Sequence, residues 1–544
     1  MHHRRLAALA VLLIAVAFVV LRGGGDSDAA PAVSPVLALD RSTPPATSVA
    51  LARESALASA RTRVEQRRRR EAARHAEARR LRRSRTVAGA LRRAWLTRAI
   101  SRVEYERLRG IWWRANRDVG RLTGVRRAEL GAVVAMAARL ASARILTASR
   151  LEPVFLTIRR NRAFWMSRAL PRPGARMTFR GDPVVFEYYS GRGLAIQPLA
   201  SFGAANALAG SCLRLASRHR CRPAALRRLL ERMLAIGIER GGFLAWEYFF
   251  SFGGGTPPWI SAMTQATGAQ ALTRGRRALG AARGARYARA ARRALGAFER
   301  PPPLGIAVPN AGGRRYTMYS FAPRLRIYNG ELQALIGLRD VARIAGSRRA
   351  ARLYARGEPV ARRSVRALDT GAWSLYSEGG AESTLSYHRL VGRFLEGMCT
   401  RTGVRTYCAA GRRLDRYVGE PPRLGVRTAR KPRARRRTAI TFTLSKVSAV
   451  TVRVRDRHDR VAFARGVRLA RGRHRIVWVP RRAGRHRLKI VAIGPAGTRG
   501  VVTRTVVARP APLTKKQRLA QKRKRVAARK RAEARKRAAG RSAL

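Results

Sequence analysis

Apolar residues return every three or four positions over most of the chain between residues 87 and 424. After Arg222-Pro223, where a proline suits the first helical turn, Leu226, Leu229, Leu230 and Met233 fall at i, i+3, i+4 and i+7. Leu335, Leu338 and Val341 draw a second stripe beyond Asn329-Gly330. Gly- and Pro-bearing loops separate such stretches, so the pattern predicts a mainly α domain of paired helices over 87–424. A helical period is the same in a toroid and in a bundle, and periodicity leaves both open.

Near residue 425 the period drops to two. Ile440, Phe442 and Leu444 alternate with Thr, and Val450, Val452 and Val454 alternate with Thr or Arg. Further apolar runs are Ile476 to Val479, Leu488 to Val491 and Val501 to Val507, with Arg471-Gly472, Ala483-Gly484 and Gly494-Pro495 between them. Short alternating strands at this spacing predict a β-sandwich of immunoglobulin-like type over 425–510.

The two ends are different in character. His2-His3-Arg4-Arg5 precede an unbroken apolar run from Leu6 to Leu21, then Arg22 and Gly23-Gly24-Gly25. A basic flank before such a run predicts a signal peptide or signal-anchor over residues 1–25, with a buried core helix as the alternative. Ala29-Ala30-Pro31-Ala32 offers a cleavage site, to which Asp26 and Asp28 are poorly suited. A retained anchor keeps its positive flank in the cytoplasm. The expected location is therefore extracytoplasmic, membrane-anchored or secreted, at a bacterial cell surface. Residues 26–86 read as a linker and a basic helical segment with little apolar stripe, either an arm for anionic lipid or wall polymer or a solvated spacer. Residues 511–544 form a Lys/Arg/Ala-rich tail, expected to be disordered or a bare helix that meets polyanions by charge.

Composition narrows the partners. The chain carries 116 Lys and Arg against 30 Asp and Glu, a net charge of +86. That balance suits nucleic acid, an anionic membrane or an acidic polysaccharide. The N-terminal segment argues for export and against a specific nucleic-acid role, although compositional drift also spreads Arg over every segment. A hydrophobic content of 46% excludes wholesale disorder. Cys212 and Cys221 are nine apart, as are Cys399 and Cys408. With no close Cys pairs or neighbouring histidines to suit a metal, two local disulfides are the better reading and buried thiols the other.

Candidate chemistry sits in three Gly- and aromatic-rich blocks, read as loops leading into helices: Phe186 to Leu199, Gly253 to Gln265, and Tyr316 to Gly330. Such loops at one rim of a helical domain form sugar clefts, with Arg gripping carboxylates. Tyrosines at 316, 319, 328, 376 and 387 are phenols able to exchange protons without repelling an anionic substrate. No metal site, phosphate loop or Ser/His/Asp arrangement is apparent, and no cofactor is expected.

Five motifs carry a resemblance. Tyr189-Ser190-Gly191-Arg192-Gly193-Leu194-Ala195-Ile196-Gln197-Pro198, Pro258-Trp259-Ile260-Ser261 to Gln265, and Tyr328-Asn329-Gly330 to Leu338 come in order. Leu368-Asp369-Thr370-Gly371 with Tyr376, and then Tyr387-His388, follow them. Together these resemble the C-terminal helical domain of the heparosan/D-glucuronyl C5-epimerase family over roughly 185–420. The resemblance implies an (α/α) toroid acting on uronic acid residues of an acidic polysaccharide. The C5 proton is removed on one face and replaced on the other. It places Tyr387, Tyr319 and Tyr376 on the family's catalytic or active-site tyrosines. Candidate substrate contacts are Glu187, Tyr189, Arg192, Gln197, Trp259, Gln265, Arg324, Arg326, Asn329 and His388. Glu187 reads equally as a strand-end polar residue, Trp259 reads first as packing its own loop, and His388 reads first as supporting a neighbour. Two departures stand out: Met318 occupies the place of an expected Glu, and Ser377-Glu378-Gly379-Gly380 lacks an expected Arg. A non-catalytic polysaccharide-binding relative and a uronate lyase remain the competing expectations, and a homodimer is possible.

Overall fold

The computed structural model describes residues 46–428 and 432–541. The N-terminal apolar run lies outside the described residues, among which no helix is long and apolar enough to cross a membrane. The molecule is mainly helical with several small sheets. Its contacts divide it into two units, one ending at Arg363 and one beginning at Ser364. This division falls inside a helix, whereas the sequence reading puts a boundary at residue 424.

In the first unit, α1 (Ala46–Arg80) leads to α2 (Val87–Leu96), α3 (Arg102–Arg121), α4 (Gly124–Ser142) and α5 (Ala148–Ser167). Ser101 starts α3 by accepting a hydrogen bond from the Glu104 amide, the first half of an S-x-x-E cap. Leu91, Leu108, Ile111, Val133, Met136, Leu140, Val154 and Phe155 from these helices share one apolar cluster.

A three-stranded antiparallel sheet follows, in the order β1 (Arg176–Phe179), β2 (Asp182–Tyr189), β3 (Gly193–Ile196). The first aromatic block is therefore a β-hairpin rather than a loop. Val184, Phe186 and Tyr188 alternate and are buried, a period of two that the block's glycines obscured.

Beyond it come α6 (Pro198–Leu213), α7 (Pro223–Ala235), the hairpin β4 (Ile238–Arg240) and β5 (Phe243–Ala245), then α8 (Ala262–Leu279). Helix α7 starts on Pro223 and buries Leu226, Leu229, Leu230 and Met233, the four stripe positions. Helix α8 is buried along most of its length and touches α6, α7, α9 (Ala281–Ala294) and α10 (Tyr328–Ala345). Small residues let its neighbours approach. A Cβ on Gly268 would lie 2.8 Å from the Phe202 ring, and one on Gly337 would lie 2.7 Å from the Ala266 carbonyl oxygen. The hairpin β6 (Ala307–Asn310) and β7 (Gly313–Tyr316) precedes α10, and α11 (Arg348–Leu368) closes the helical series.

The second unit contains the helix pair α12 (Leu385–Thr402) and α13 (Arg405–Gly419), then seven strands. These are β8 (Leu424–Thr428), β9 (Thr438–Leu444), β10 (Ser448–Arg455), β11 (Val461–Leu469), β12 (Gly472–Trp478), β13 (Gly484–Ile493) and β14 (Arg499–Ala508). They form two antiparallel sheets ordered β11-β10-β13-β14 and β12-β9-β8. Ile440, Phe442, Val450, Val452, Trp478 and Ile490 from both sheets share one apolar cluster. Strand β11 escapes the sequence reading because exposed Arg and Gly interrupt its alternation. Cys212 pairs with Cys221 and Cys399 with Cys408. A last helix, α14 (Lys515–Arg541), is solvent-exposed through Arg535.

Candidate active site

In the first unit, the pleat of β2 puts Glu187 and Tyr189 on one face. Gln197, just ahead of α6, donates to the Tyr189 hydroxyl at 3.0 Å and approaches Glu187 Oε2 at 3.5 Å. Its own carbonyl accepts from the Tyr248 hydroxyl at 3.1 Å, which also meets Thr264 Oγ1 at 2.7 Å. Arg176 Nε donates to Glu187 Oε2 at 2.6 Å, while Glu187 Oε1 has no hydrogen-bond partner among the described residues. Burial pushes the Glu187 carboxyl above its ordinary range, and Arg176 pulls it back. Burial, followed by the Glu187 charge, holds the Tyr189 phenol well above the usual tyrosine range.

An aromatic group packs beside this network. Tyr189 stacks on Phe250 at 4.3 Å, and Trp259 stacks on Tyr248 at 4.1 Å. Tyr319 joins at 5.6 Å from Trp259 and 5.3 Å from Phe321. Trp259 is only 2% exposed and its indole nitrogen donates to the Phe250 carbonyl, so its ring is a core element with no open face for a pyranose. Met318 lies under the start of α10, where a Cβ on Gly330 would come within 2.7 Å of its sulfur. The expected carboxylate is thus replaced by an apolar plug. Asn329 is 1% exposed, and neither amide atom has a hydrogen-bond partner among the described residues.

A cavity of about 160 Å³ opens between α4, α5, the β2–β3 turn and the segment after β5. Arg139, Arg192, Thr157, Ser251, Phe249 and Phe250 contribute to its wall. Two buried carboxylates shape it. Glu129 accepts from the Tyr188 hydroxyl at 2.8 Å and from the Gly191 and Gly193 amides, both at 2.7 Å, which fixes the turn that carries Arg192. Glu247 is held by Arg150 through two bonds of 2.7 Å and by Arg240 at 2.5 Å. With Glu247 matched by two cations, Arg139 and Arg192 give the cavity its positive character. Cations in a partly enclosed cavity suit a carboxylate.

In the second unit, Tyr376 and Tyr387 meet edge to face at 4.8 Å, and both are buried. Thr384 caps α12 by accepting from the Tyr387 amide, which seats Tyr387 in the first turn. His388 is fully buried and stacks on Trp373 at 3.6 Å. Its Nε2 lies 2.8 Å from the Leu414 carbonyl and its Nδ1 lies 2.8 Å from the Ser374 hydroxyl. A carbonyl only accepts, so Nε2 carries the proton and Nδ1 accepts from Ser374. Burial lowers the imidazole to about 4.

Several expected substrate contacts are therefore engaged inside the protein. His388 uses both ring nitrogens. Gln265 accepts from the Trp246 amide at 2.9 Å and donates to the Leu244 carbonyl at 3.0 Å. Gln197 is spent on two tyrosines, and Arg326 pairs with Glu331 at 3.1 Å. Those residues position others. Arg324 is exposed, and Arg192 faces the cavity. Glu129, Arg139, Arg150, Arg176, Glu247 and Tyr248 went unread in the sequence. Glu129 and Glu247 carried one signal, that of a rare acid in an acid-poor chain, while the arginines and Tyr248 carried none.

Comparison with known proteins adds one family. Residues 240–413 match the family described as D-glucuronyl C5-epimerase C-terminus, which supports the resemblance seen in the motifs. The matched segment contains Tyr319, Tyr376 and Tyr387 and begins after the β2–β3 hairpin. No curated protein matches the chain. Among solved structures, a GH76 α-mannanase of Bacteroides thetaiotaomicron is 12% identical, with 41% of this chain and 61% of that one covered and a TM-score of 0.31. A sugar epimerase from a ruminal bacterium is 10% identical, with 40% and 60% covered and a TM-score of 0.27. The chain spans about three fifths of each, and neither superposition is close enough to carry fold or activity across.

Proposed function

We propose that this protein is a carbohydrate epimerase that inverts C5 of uronate residues in an acidic polysaccharide at the surface of a bacterial cell. The family match over residues 240–413 carries this reading, because it spans the three tyrosines that the motifs single out. Loss of the C5 proton leaves an enolate-like carboxylate, so the site needs cations or donors at that group and proton carriers on both faces of the ring. In this reading Tyr387 is one proton carrier, and Tyr376 is the phenol packed edge to face against it. In the first unit, Arg192 and Arg139 line a cavity suited to a sugar carboxylate. The helices form an (α/α) toroid, the two-sheet region is an immunoglobulin-like accessory module, and residues 1–25 anchor or export the chain.

Incubation of the protein with heparosan in D2O tests the proposal. Deuterium at C5 together with new iduronate is expected, and Tyr387→Phe should lower exchange by about 10²–10⁴-fold. An unsaturated uronate absorbing in the ultraviolet would indicate a lyase instead. Met318, an apolar side chain where the family's motif has a carboxylate, favours one second reading: a relative that binds acidic polysaccharide without turning it over. Binding with no exchange would establish it.

A further inference from the structure

Helix α1 carries an ordered row of cations that the matched family segment does not include. Arg63, Arg67, Arg70 and Arg74 stand at i, i+4, i+7 and i+11, within an arc of about 60° on one face of the helix. With Arg98, Gln66 and Glu71 they line a groove of about 400 Å³. Arg98 lies just beyond α2 with φ of 59° and pairs with Glu71, which Arg67 also approaches at 3.6 Å. Arg74 is anchored by a 3.2 Å bond to the Trp95 carbonyl. The row is therefore tied to the body of the first unit at its C-terminal end, while Arg63, Arg67 and Arg70 face solvent.

The spacing is informative. Arg63 to Arg70, and Arg67 to Arg74, each advance about 10.5 Å along the helix axis. That is close to the length of two pyranose rings in an extended chain. A polymer in which uronate alternates with a neutral sugar presents one carboxylate per two rings. Such a chain laid along α1 brings successive carboxylates opposite Arg63 and Arg70, or opposite Arg67 and Arg74. Helix α14, by contrast, has eleven cations between Lys515 and Arg535 spread around its circumference and favours no register.

We infer that this face of α1 is a docking groove for an acidic polysaccharide of alternating uronate and neutral sugar, holding the chain away from the site where its residues react. The inference rests on the polysaccharide reading above but not on turnover. Two variants of equal charge test it by measuring affinity for unsulfated heparosan at fixed salt. In one, Arg63, Arg67 and Arg70 all become Gln. In the other, Arg61, Arg68 and Arg79 on the opposite face become Gln. The first should lose about tenfold in affinity and the second less than twofold, with helicity by circular dichroism unchanged in both. Equal losses would reduce the row to general charge attraction and overturn the inference. A second arm compares polygalacturonate, which carries a carboxylate on every ring. The wild-type protein should bind it no more tightly than heparosan, and tighter binding in proportion to charge density would also overturn the inference. If no deuterium enters heparosan yet the face-specific loss holds, the epimerase reading falls while the groove stands.

Discussion

His388 gives the structure a measurable dependence on acid. It is fully buried, stacked on Trp373, and holds its proton on Nε2 toward the Leu414 carbonyl. Burial lowers its folded value to about 4 from 6.5. A base with a depressed folded pKa stays neutral in the native state while the unfolded chain takes up a proton. Its contribution is therefore complete above the unfolded value, falls as pH drops below about 6.5, and levels off below about 4. At about pH 4.5 the loss amounts to about 2.5 kcal/mol. His388→Gln isolates it, because Gln can still donate toward Leu414 and accept from Ser374 but does not titrate. Urea unfolding of both proteins between about pH 7.5 and 4.5 is the assay. The wild type should lose about 2.5 kcal/mol more than the variant over that interval. Parallel pH profiles would show that the imidazole titrates normally and would refute the burial argument.

Other outcomes follow from the packing. Replacing Cys399 and Cys408 with Ser opens a local loop and should lower the stability of the second unit by about 2–3 kcal/mol, read from unfolding under non-reducing conditions. Gly268→Ala should destabilise the first unit by about 1–3 kcal/mol, since the new methyl meets the Phe202 ring. Gln265→Leu strands the Trp246 amide and the Leu244 carbonyl and should cost about 1–3 kcal/mol per group left unpaired, with faster amide exchange at Trp246. Ile490→Ala opens a cavity between the two β-sheets and should cost about 2–5 kcal/mol by thermal melting.

The long helices and the inward faces of β9 and β10 were legible because burial and local period agree there. Leu226, Leu229, Leu230 and Met233 are the buried face of α7, and Ile440, Phe442 and Leu444 are buried in β9. The β2–β3 hairpin was hidden by its glycine-rich turn. That turn is held by Glu129, a residue in α4 far from it in sequence, and no local pattern announces such a partner. The site was legible as residue types and not as roles. Gln265, Gln197, Arg326 and His388 sit in the expected motifs, yet each spends its hydrogen-bonding groups on neighbouring protein. A motif records which side chains a fold needs and does not separate those that face a ligand from those that hold the facing ones in place.

Lys446 bears on how the second unit can be divided. Its ammonium is buried, donates to the Tyr417 carbonyl at 2.8 Å and the Glu420 carbonyl at 2.9 Å, and lies 5.1 Å from the Trp373 ring. Beside it, Glu382 accepts from the amides of Val447 and Arg471. A lysine from the β9–β10 turn thus satisfies the carbonyls that α13 leaves open at its end. A carboxylate from the loop before α12 binds the turns before β10 and β12. A truncation after residue 424 would leave those helix-end carbonyls, the Trp373 face and the Glu382 carboxylate without the groups that cover them. The β region thus serves as the helix pair's terminal cap, and a cut at residue 424 is expected to destabilise the second unit.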